Sequence, residues 1–472
     1  MTHRGNKSEP LSSPRLASLR DSEGEDEEND NAELFTELFA HLDIDSLPKF
    51  AAAVRQQSET DYDEQDPVVE RPIYGSYNVL LPLTFPDGTR WLAKIPVNGT
   101  PSHWDAISSG ALSVEANTMR LLKRETTIPI PAVLDYSATT DNPICCPYIL
   151  ISFVPGRPLY EVWFGDASPE DTKRYRGRAL QDIASAMAQL KSFSFDKGGF
   201  MTFESNGNLT SEIGPMRHID HQAMLDRWFI HKDPADDPIY VESPAFDNPH
   251  DYFMFPLSLH EETRPFPKGV LLLLELLISC IPASPDTKPF VLAHPDYDIQ
   301  NFIVSDTGEL QGIIDWDGVA VVPRSIGSER YPGWLTRDWD PAMYGYDESM
   351  DKGVEPEGVR EDSPTTLIFY RALYKDLVSK AREDWQNPDA EPDENITRMS
   401  LITENLAIAA QDPQCRNDVL RKFIEEIAVL FDGKVDLNFM DLVNDFASDT
   451  VSDDTIQTLK SGVEILLMKD DL

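Results

Sequence analysis

Apolar and polar residues follow one pattern up to about residue 155 and a different pattern after it. Two apolar runs, 78–85 and 89–95, flank the turn signal Pro86-Asp87-Gly88 and predict a β-hairpin. Residues 113–124 carry apolar side chains at helical spacing, and 133–136 and 148–154 predict two more strands. The first part of the chain is therefore expected to form a small sheet that carries one helix.

Beyond residue 155 the apolar spacing becomes helical. Ser168-Pro169-Glu170-Asp171 combines a cap residue, a proline in the first turn and an acid three residues after the cap, which predicts a helix start. Further helices are predicted at 270–281, 365–381, 395–410, 416–431 and 455–468. The expected fold class is α+β, with a small β-rich lobe followed by a larger, mostly helical lobe.

Four segments are predicted along the chain. Residues 1–33 contain the acidic block 21–28 and no apolar periodicity, which is typical of a disordered tail. Residues 34–65 are expected to form a helical extension. The β-rich lobe is then predicted at 66–155 and the helical lobe at 156–472.

The chain of 472 residues is strongly acidic, with a formal net charge of -41. Nucleic acids and anionic membranes attract proteins through a positive field, so neither is an expected partner. The acidic surplus favours a cationic small molecule by electrostatic steering, although solubility explains the charge better. The oligomeric state is left open by the sequence.

Cysteine usage and the first residues bear on location. Four cysteines are too few for a disulfide framework, and the first 20 residues lack the apolar core of a signal peptide. The most apolar run, 270–281, is too short to span a bilayer. These observations predict a cytoplasmic protein.

The densest group of chemically capable residues lies between 290 and 317. An apolar run leads into His294-Pro295-Asp296, and Asn301 and Asp315 follow at the ends of a predicted β-hairpin. Carboxylate and amide oxygens that converge beside a loop suit Mg²⁺, which also binds phosphate oxygens. A further carboxylate can accept a proton from a hydroxyl. The pattern favours phosphoryl transfer over a hairpin whose acids only cap turns.

This His-x-Asp-x-x-x-x-Asn loop, followed by Ile-Asp-Trp-Asp, resembles the aminoglycoside phosphotransferases and the choline kinases, which have a protein-kinase-like fold. The resemblance implies that Asp296 is the catalytic base and that Asn301 and Asp315 hold Mg²⁺. It also implies that His294 braces the loop and that Asp317 adds a metal or supporting contact. The stretch 330–340 is similar to a mainly fungal branch whose substrates are largely unassigned.

The resemblance extends over roughly residues 65–440. Gly75 and Ser76 match a short loop over the ATP phosphates, where an ordinary turn is the alternative. Lys94 matches the lysine that contacts the α- and β-phosphates, and Glu115 matches the helix glutamate that pairs with it. The alternatives are a solvated strand lysine and a surface acid.

The run from Tyr148 to Gly156 resembles the hinge between the lobes of these kinases. The resemblance implies that backbone groups around Ser152 and Val154 bind the adenine edge of ATP. Because the side chains there are apolar, a plain buried strand fits the sequence equally well.

The function implied is an ATP-dependent small-molecule kinase that transfers the γ-phosphoryl group to a hydroxyl. Pro295 stands where most such kinases have glycine, and the segment 321–325 replaces a usual Gly-Asp-Pro. These departures motivate an alternative, a pseudokinase that binds or regulates without turnover. A protein kinase is a weaker alternative, because no Ala-Pro-Glu segment follows Asp317. The stretch 330–340 lines the acceptor pocket or packs a helix; the sequence favours neither.

Overall fold

The computed structural model describes residues 32–59, 65–233, 235, 238–284, 287–354, 360–385, 396–431 and 435–469. Residues 1–31 of the predicted disordered tail, 1–33, lie outside the described residues. Its disorder and the four predicted segment boundaries therefore stay predictions.

Two helices, α1 (Thr36–His41) and α2 (Leu47–Ser58), precede the first sheet. The side chains of Phe35, Leu38 and Leu47 are fully buried in one apolar cluster with sheet residues such as Leu81. This cluster removes apolar area from water on both elements, which is the main source of stability available to so small a lobe. The helical extension therefore packs as part of the first lobe.

The first lobe contains β1 (Val68–Val69), β2 (Ile73–Tyr74), β3 (Asn78–Thr84), β4 (Arg90–Pro96), α3 (Ala106–Glu125), β5 (Val133–Ser137) and β6 (Tyr148–Ser152). Its strands lie in the order β1-β3-β4-β6-β5, and β2 also pairs with β3. Every pairing is antiparallel. The predicted hairpin is β3–β4, with Leu81 opposite Ala93 and with Gly88 at a φ of 86° in the turn.

Helix α3 is longer than the sequence predicted, because it begins at Ala106 and not at residue 113. Its first turn is capped by Asp105, whose side chain accepts a hydrogen bond from the Ser108 amide at 2.7 Å. Residues 108–110 are Ser-Ser-Gly, which are weak helix formers. Capping and burial therefore fix the start of this helix, although the residues of its first turn have a low helix propensity.

The second lobe contains β7 (Arg157–Pro158), α4 (Leu159–Trp163), α5 (Pro169–Ala188), β8 (Ser194–Phe195), β9 (Phe200–Phe203), β10 (Leu209–Gly214), β11 (Met216–Ile219), α6 (His221–Phe229), β12 (Tyr240–Ser243), α7 (Pro249–Ser258), α8 (Pro265–Ile278), β13 (Phe290–Ala293), β14 (Phe302–Val304), β15 (Leu310–Ile313), β16 (Ala320–Pro323), α9 (Pro364–Trp385), α10 (Ile396–Gln411), α11 (Pro413–Leu430), α12 (Phe439–Ser448) and α13 (Asp453–Met468). The predicted start of α5 is correct, and the Ser168 side chain accepts from the Asp171 amide. Helix α8 spans Pro265–Ile278 and not 270–281, because two prolines fit its first turn.

The sequence predicted no strands in the region 200–243, where the structure has four. Strand β9 pairs with β10 and β11 pairs with β12, and both pairs are antiparallel. These strands have four to six residues, and much of β10 is exposed. Strands so short leave too few alternations for a period of two to be recognised in the sequence. Helices α4, α6, α7 and α12 were not predicted either.

The densest motif of the sequence lies on two nested pairs of antiparallel strands. Strand β13 pairs with β16, and β14 pairs with β15, with Phe302 opposite Ile313. The backbone carbonyl of Asn301 accepts from the Ile314 amide at 2.9 Å. The loop after β13 and the segment after β15 therefore lie side by side at one end of the hairpins.

The predicted α+β class with two lobes is confirmed. A six-stranded antiparallel sheet with one long helix forms the first lobe, and most helices belong to the second. The two lobes meet where β4 and α3 face the segment after β15. This arrangement, with a lysine strand and a glutamate helix over a hairpin loop, is the one that the resemblance implied.

Candidate active site

The loop after β13 presents Asp296 to a cleft between the lobes. The Asn301 side chain donates to the Asp296 carbonyl at 2.8 Å and to the Asp296 Oδ2 atom at 3.0 Å. Gln300 Nε2 donates to the same Oδ2 atom at 2.9 Å. Asp298 caps the short 3₁₀ helix that holds Asn301, through a bond from the Ile299 amide. Two amides therefore orient a carboxylate that lies on an exposed loop.

His294 is buried behind this loop and joins it to the next hairpin. Its Nε2 atom donates to the Ile314 carbonyl at 2.8 Å, and its ring packs edge-on against Trp316. Burial lowers the pKa of His294 to about 4, so the ring is neutral at physiological pH. A neutral, buried donor of this kind fixes the position of the loop.

Lys94 of β4 lies between two carboxylates from different lobes. Its Nζ atom is 2.7 Å from Glu115 Oε1 on α3 and 3.0 Å from Asp315 Oδ1. Lys94 and Glu115 are buried, whereas the Asp315 side chain is 49% exposed. Asp315 also has a φ of 59°, a left-handed conformation that only Gly, Asn and Asp adopt readily. The ion pair expected between Lys94 and Glu115 is present.

Burial and neighbouring charges act in opposite directions on these groups. Burial raises the pKa of Glu115 to about 7, although Lys94 opposes the shift. Burial lowers the pKa of Lys94, but Glu115, Asp315 and Asp317 outweigh it and the net shift is upward. Burial raises the pKa of Asp317. The positive charges of Arg217 and Lys94 outweigh this effect, so the net shift of the Asp317 pKa is downward. Lys94 and Asp317 are therefore charged at neutral pH.

We expect Glu115 to reduce the free energy of unfolding as the pH rises from about 4.5 to about 7. In this window the folded protein holds a proton that the unfolded chain has already released, so stability falls with pH. The measurement is urea denaturation of the wild type and of Glu115→Gln at about pH 5 and about pH 8. The wild type should lose stability relative to the variant at the higher pH. An unchanged difference between the two proteins would contradict the prediction.

Arg217 and Tyr240 also belong to this site, and sequence inspection missed both. Arg217 Nη2 donates to Asp317 Oδ1 at 3.0 Å, and its guanidinium lies 4.0 Å from the centre of the Tyr240 ring. The other oxygen of Asp317 accepts from Asn78 Nδ2 at 3.4 Å. The two residues lie diagonally across the antiparallel strands β11 and β12, where Arg217 is opposite Glu242 and Tyr240 is opposite Ile219. This strand pair was not predicted.

Gly75 and Ser76 form the turn between β2 and β3, at the edge of the cleft. The Gly75 amide donates to the Asn78 carbonyl at 2.9 Å and closes this turn. At the other side of the sheet, the Ser152 amide donates to the Ala132 carbonyl. Val154, two residues further on, lines the cleft.

The stretch 330–340, which the sequence left open, both packs and lines the cleft. Trp334 and Trp339 are each only 2% exposed and belong to the apolar core. Arg337 Nη2 donates to Asp298 in the catalytic loop at 3.1 Å, and Arg330 Nη2 donates to the His294 carbonyl at 3.0 Å. The tryptophans therefore anchor the stretch, and the arginines hold the loop that presents Asp296.

A single cleft of about 1000 Å³ brings the predicted residues together. All those singled out from the sequence line it, namely Gly75, Ser76, Lys94, Glu115, Ser152, Val154, His294, Asp296, Asn301, Asp315 and Asp317. They come from both lobes and are separated by up to about half of the chain. Only the folded arrangement makes them neighbours.

The donor set fits a magnesium ion bound jointly with a phosphate ligand. The Asn301 amide and the half-exposed Asp315 carboxylate are hard oxygen donors on adjacent segments, joined by the bond between Asn301 and Ile314. Among the described residues, no group of three or more His, Cys, Asp or Glu side chains could hold a metal alone. Mg²⁺ commonly uses one or two protein ligands and completes its shell with phosphate and water, so this set suffices.

Comparison with known proteins agrees with this geometry. Residues 105–325, a little under half of the chain, match the family described as "Phosphotransferase enzyme family". This region is similar to that family. The match contains α3 with Glu115 and both hairpins that carry Asp296 and Asp315. Lys94 and strands β1 to β4 of the first sheet precede the matched region, whereas β5 and β6 lie inside it.

Relatives in fungi share part of the sequence. A subtelomeric hrmA-associated cluster protein of Aspergillus fumigatus is 22% identical over 64% of this chain and 67% of its own length. "Altered inheritance of mitochondria protein 9, mitochondrial" of Candida tropicalis is 26% identical over 36% of this chain and 28% of its own length. A solved structure, the macrolide 2'-phosphotransferase MphH of Brachybacterium faecium, is 13% identical. It covers 87% of this chain and all of its own, with a TM-score of 0.39.

The cytoplasmic location expected from the sequence is wrong by this comparison. The matching proteins from several Candida species are all named mitochondrial. The absence of a recognisable leader was too weak a ground for the expectation. Among the described residues, no helix combines the length and the apolar character needed to cross a bilayer.

Proposed function

We propose that this protein is a small-molecule kinase that transfers the γ-phosphoryl group of ATP to a hydroxyl group. The observation that carries the proposal is the convergence of two sets of groups on one cleft. A buried Lys94–Glu115 pair comes from the first lobe, and Asp296 with Asn301 and Asp315 comes from the second. The first set suits phosphate binding and the second suits proton removal and metal binding.

Asp296 is the proposed base. One of its oxygens accepts from Gln300 and Asn301, which fixes the carboxylate plane. The exposed position of the loop leaves room for an acceptor hydroxyl to approach. Oriented in this way, the carboxylate aligns the hydroxyl for attack on phosphorus and takes its proton as the bond forms.

Lys94 is the proposed contact for the α- and β-phosphates, with Glu115 holding its ammonium group in place. The hinge amide of Ser152 is used within the sheet, which points to Val154 as the hinge residue for the adenine edge. Asn301 and Asp315 would hold Mg²⁺, which would neutralise charge on the phosphates. Asp315 would then exchange its bond with Lys94 for the metal.

Pro295 is the departure that motivates the pseudokinase alternative. It is exposed next to Asp296, and it removes a backbone N–H from the loop while fixing its φ angle. The bonds that orient Asp296 come from side chains that follow the proline, and they are formed in its presence. The loop geometry therefore supports turnover more than loss of function.

The first test is calorimetric titration of ATP into the protein with and without Mg²⁺, repeated on Asp315→Asn. Asparagine tolerates the left-handed φ of this position and keeps the side-chain size, so the variant should fold. We expect Mg²⁺ to tighten ATP binding to the wild type by about tenfold or more, and to have little effect on the variant.

Two outcomes would contradict the proposal. A well-folded wild type that ignores ATP would rule out a nucleotide-dependent kinase. Equal stimulation by Mg²⁺ in Asp315→Asn would remove Asp315 from the metal site. Binding without transfer to any metabolite in an extract would favour the pseudokinase alternative.

A further inference from the structure

Arg217 is held rigidly in the cleft, beside the groups that are proposed to bind phosphate. It lies on β11, which pairs with β12 and was not predicted. Tyr240 lies on the paired strand, and its ring supports the guanidinium at 4.0 Å. The Arg217 side chain is only 10% exposed. A stacked and buried guanidinium has little rotamer freedom left, so its donors are directed before any ligand binds.

The position of Arg217 relative to Lys94 follows from shared contacts. Arg217 binds one oxygen of Asp317, and Asn78 binds the other. Asn78 opens β3 directly after the turn that contains Gly75, and Lys94 lies on the neighbouring strand, opposite Leu80. Arg217, Asn78, Lys94 and Asp317 line one small recess of the cleft. Arg217 thus approaches the turn over the proposed phosphate site from the second lobe.

Two cationic side chains, Lys94 and Arg217, line this recess together with two acids, Glu115 and Asp317. Each of the two cations is paired with an aspartate. Arginine offers five N–H donors in a planar fork, and the recorded bond to Asp317 uses one of them. The guanidinium can therefore keep Asp317 and still bind a phosphate oxygen.

We propose that Arg217 is a second phosphate-binding residue, which acts with Lys94 on the polyphosphate of the nucleotide. The proposal rests on the proposed kinase function and adds a residue to its site. In this role the β11–β12 hairpin supplies, from within the same chain, a cation that neutralises charge developing on the transferred group. A purely structural arginine would only compensate the buried charge of Asp317.

The test compares ligands that differ only in phosphate. ATP, ADP and adenosine are titrated, with Mg²⁺ present, into the wild type, Arg217→Lys and Arg217→Gln. We expect Arg217→Gln to weaken ATP binding by about tenfold or more while adenosine binding stays within about twofold. Arg217→Lys keeps a charge without the fork and should fall between the two.

The matched control is Arg120→Gln. Arg120 also stacks on a tyrosine, with its guanidinium 5.0 Å from the Tyr136 ring, and it is not among the residues that line the cleft. Its ATP affinity should equal that of the wild type. Thermal unfolding of every variant shows whether Arg217→Gln is folded.

Each result decides the matter. ATP affinity that is unchanged in Arg217→Gln overturns the proposal. Parallel weakening of ATP and adenosine also overturns it, because that pattern indicates a structural role only. If the wild type itself does not bind ATP, the kinase function fails first and this inference fails with it.

Discussion

Asp296→Asn should abolish phosphoryl transfer, lowering turnover by about 10³-fold, while the protein stays folded and binds Mg-ATP. An amide cannot accept the hydroxyl proton, and removing a positioned general base costs about 10² to 10⁴ in rate. The variant keeps the shape of the side chain, so Asn301 and Gln300 can still contact it. The measurement is the transfer of label from radioactive ATP into the small-molecule fraction of a metabolite extract.

Asp306→Asn is the matched control for this experiment. Asp306 lies in the turn between β14 and β15, and its side chain is 88% exposed. The same chemical change there should leave transfer at the wild-type level. Retention of a tenth or more of the wild-type rate in Asp296→Asn would exclude Asp296 as the base. Label that appears in protein would favour a protein kinase instead.

The residues of the candidate site could be singled out from the sequence because they stand at short, recognisable spacings along the chain. Asp296 and Asn301 are five positions apart on one loop, and Asp315 ends an apolar strand, so a hairpin brings the three together. Lys94 lies on an apolar run that follows a turn signal, and Glu115 lies on a segment with helical spacing of apolar residues. In each case the sequence signal and the folded position depend on the same few neighbouring residues.

Arg217 and Arg337 were not predictable in the same way. Arg217 lies on a four-residue strand, and its partner Asp317 is a hundred positions away in the chain. Arg337 lies in the stretch 330–340, which the sequence analysis singled out. Its two partners, Asp298 in the loop and Glu361 near α9, come close to it only after the helical lobe has packed. Contacts of this range depend on how many elements are assembled, and no short pattern encodes them.

The assembled lobe also explains why the position of the loop that carries Asp296 depends on residues outside that loop. Trp334 is buried against Phe302 of β14 and against Trp163 of α4. These contacts fix the stretch from which Arg337 reaches the loop. Packing in the second lobe therefore helps to fix the position of Asp296. It does so because Arg337, which lies on the packed stretch, binds Asp298 in the same loop.

Arg337→Gln should destabilise the protein by about 3–5 kcal/mol, because it leaves the buried Glu361 carboxylate and the partly buried Asp298 carboxylate without their cation. Arg337 Nη2 is 3.1 Å from Asp298 and Nη1 is 3.1 Å from Glu361, whose pKa is raised by burial even with Arg337 present. Urea denaturation measures the loss. Arg421→Gln is the control. Its side chain is 52% exposed, pairs with Asp418 at the surface and lies over the Phe439 ring, and its loss should cost under about 1 kcal/mol. Equal stability of the two variants would show that the arginine does not hold the loop.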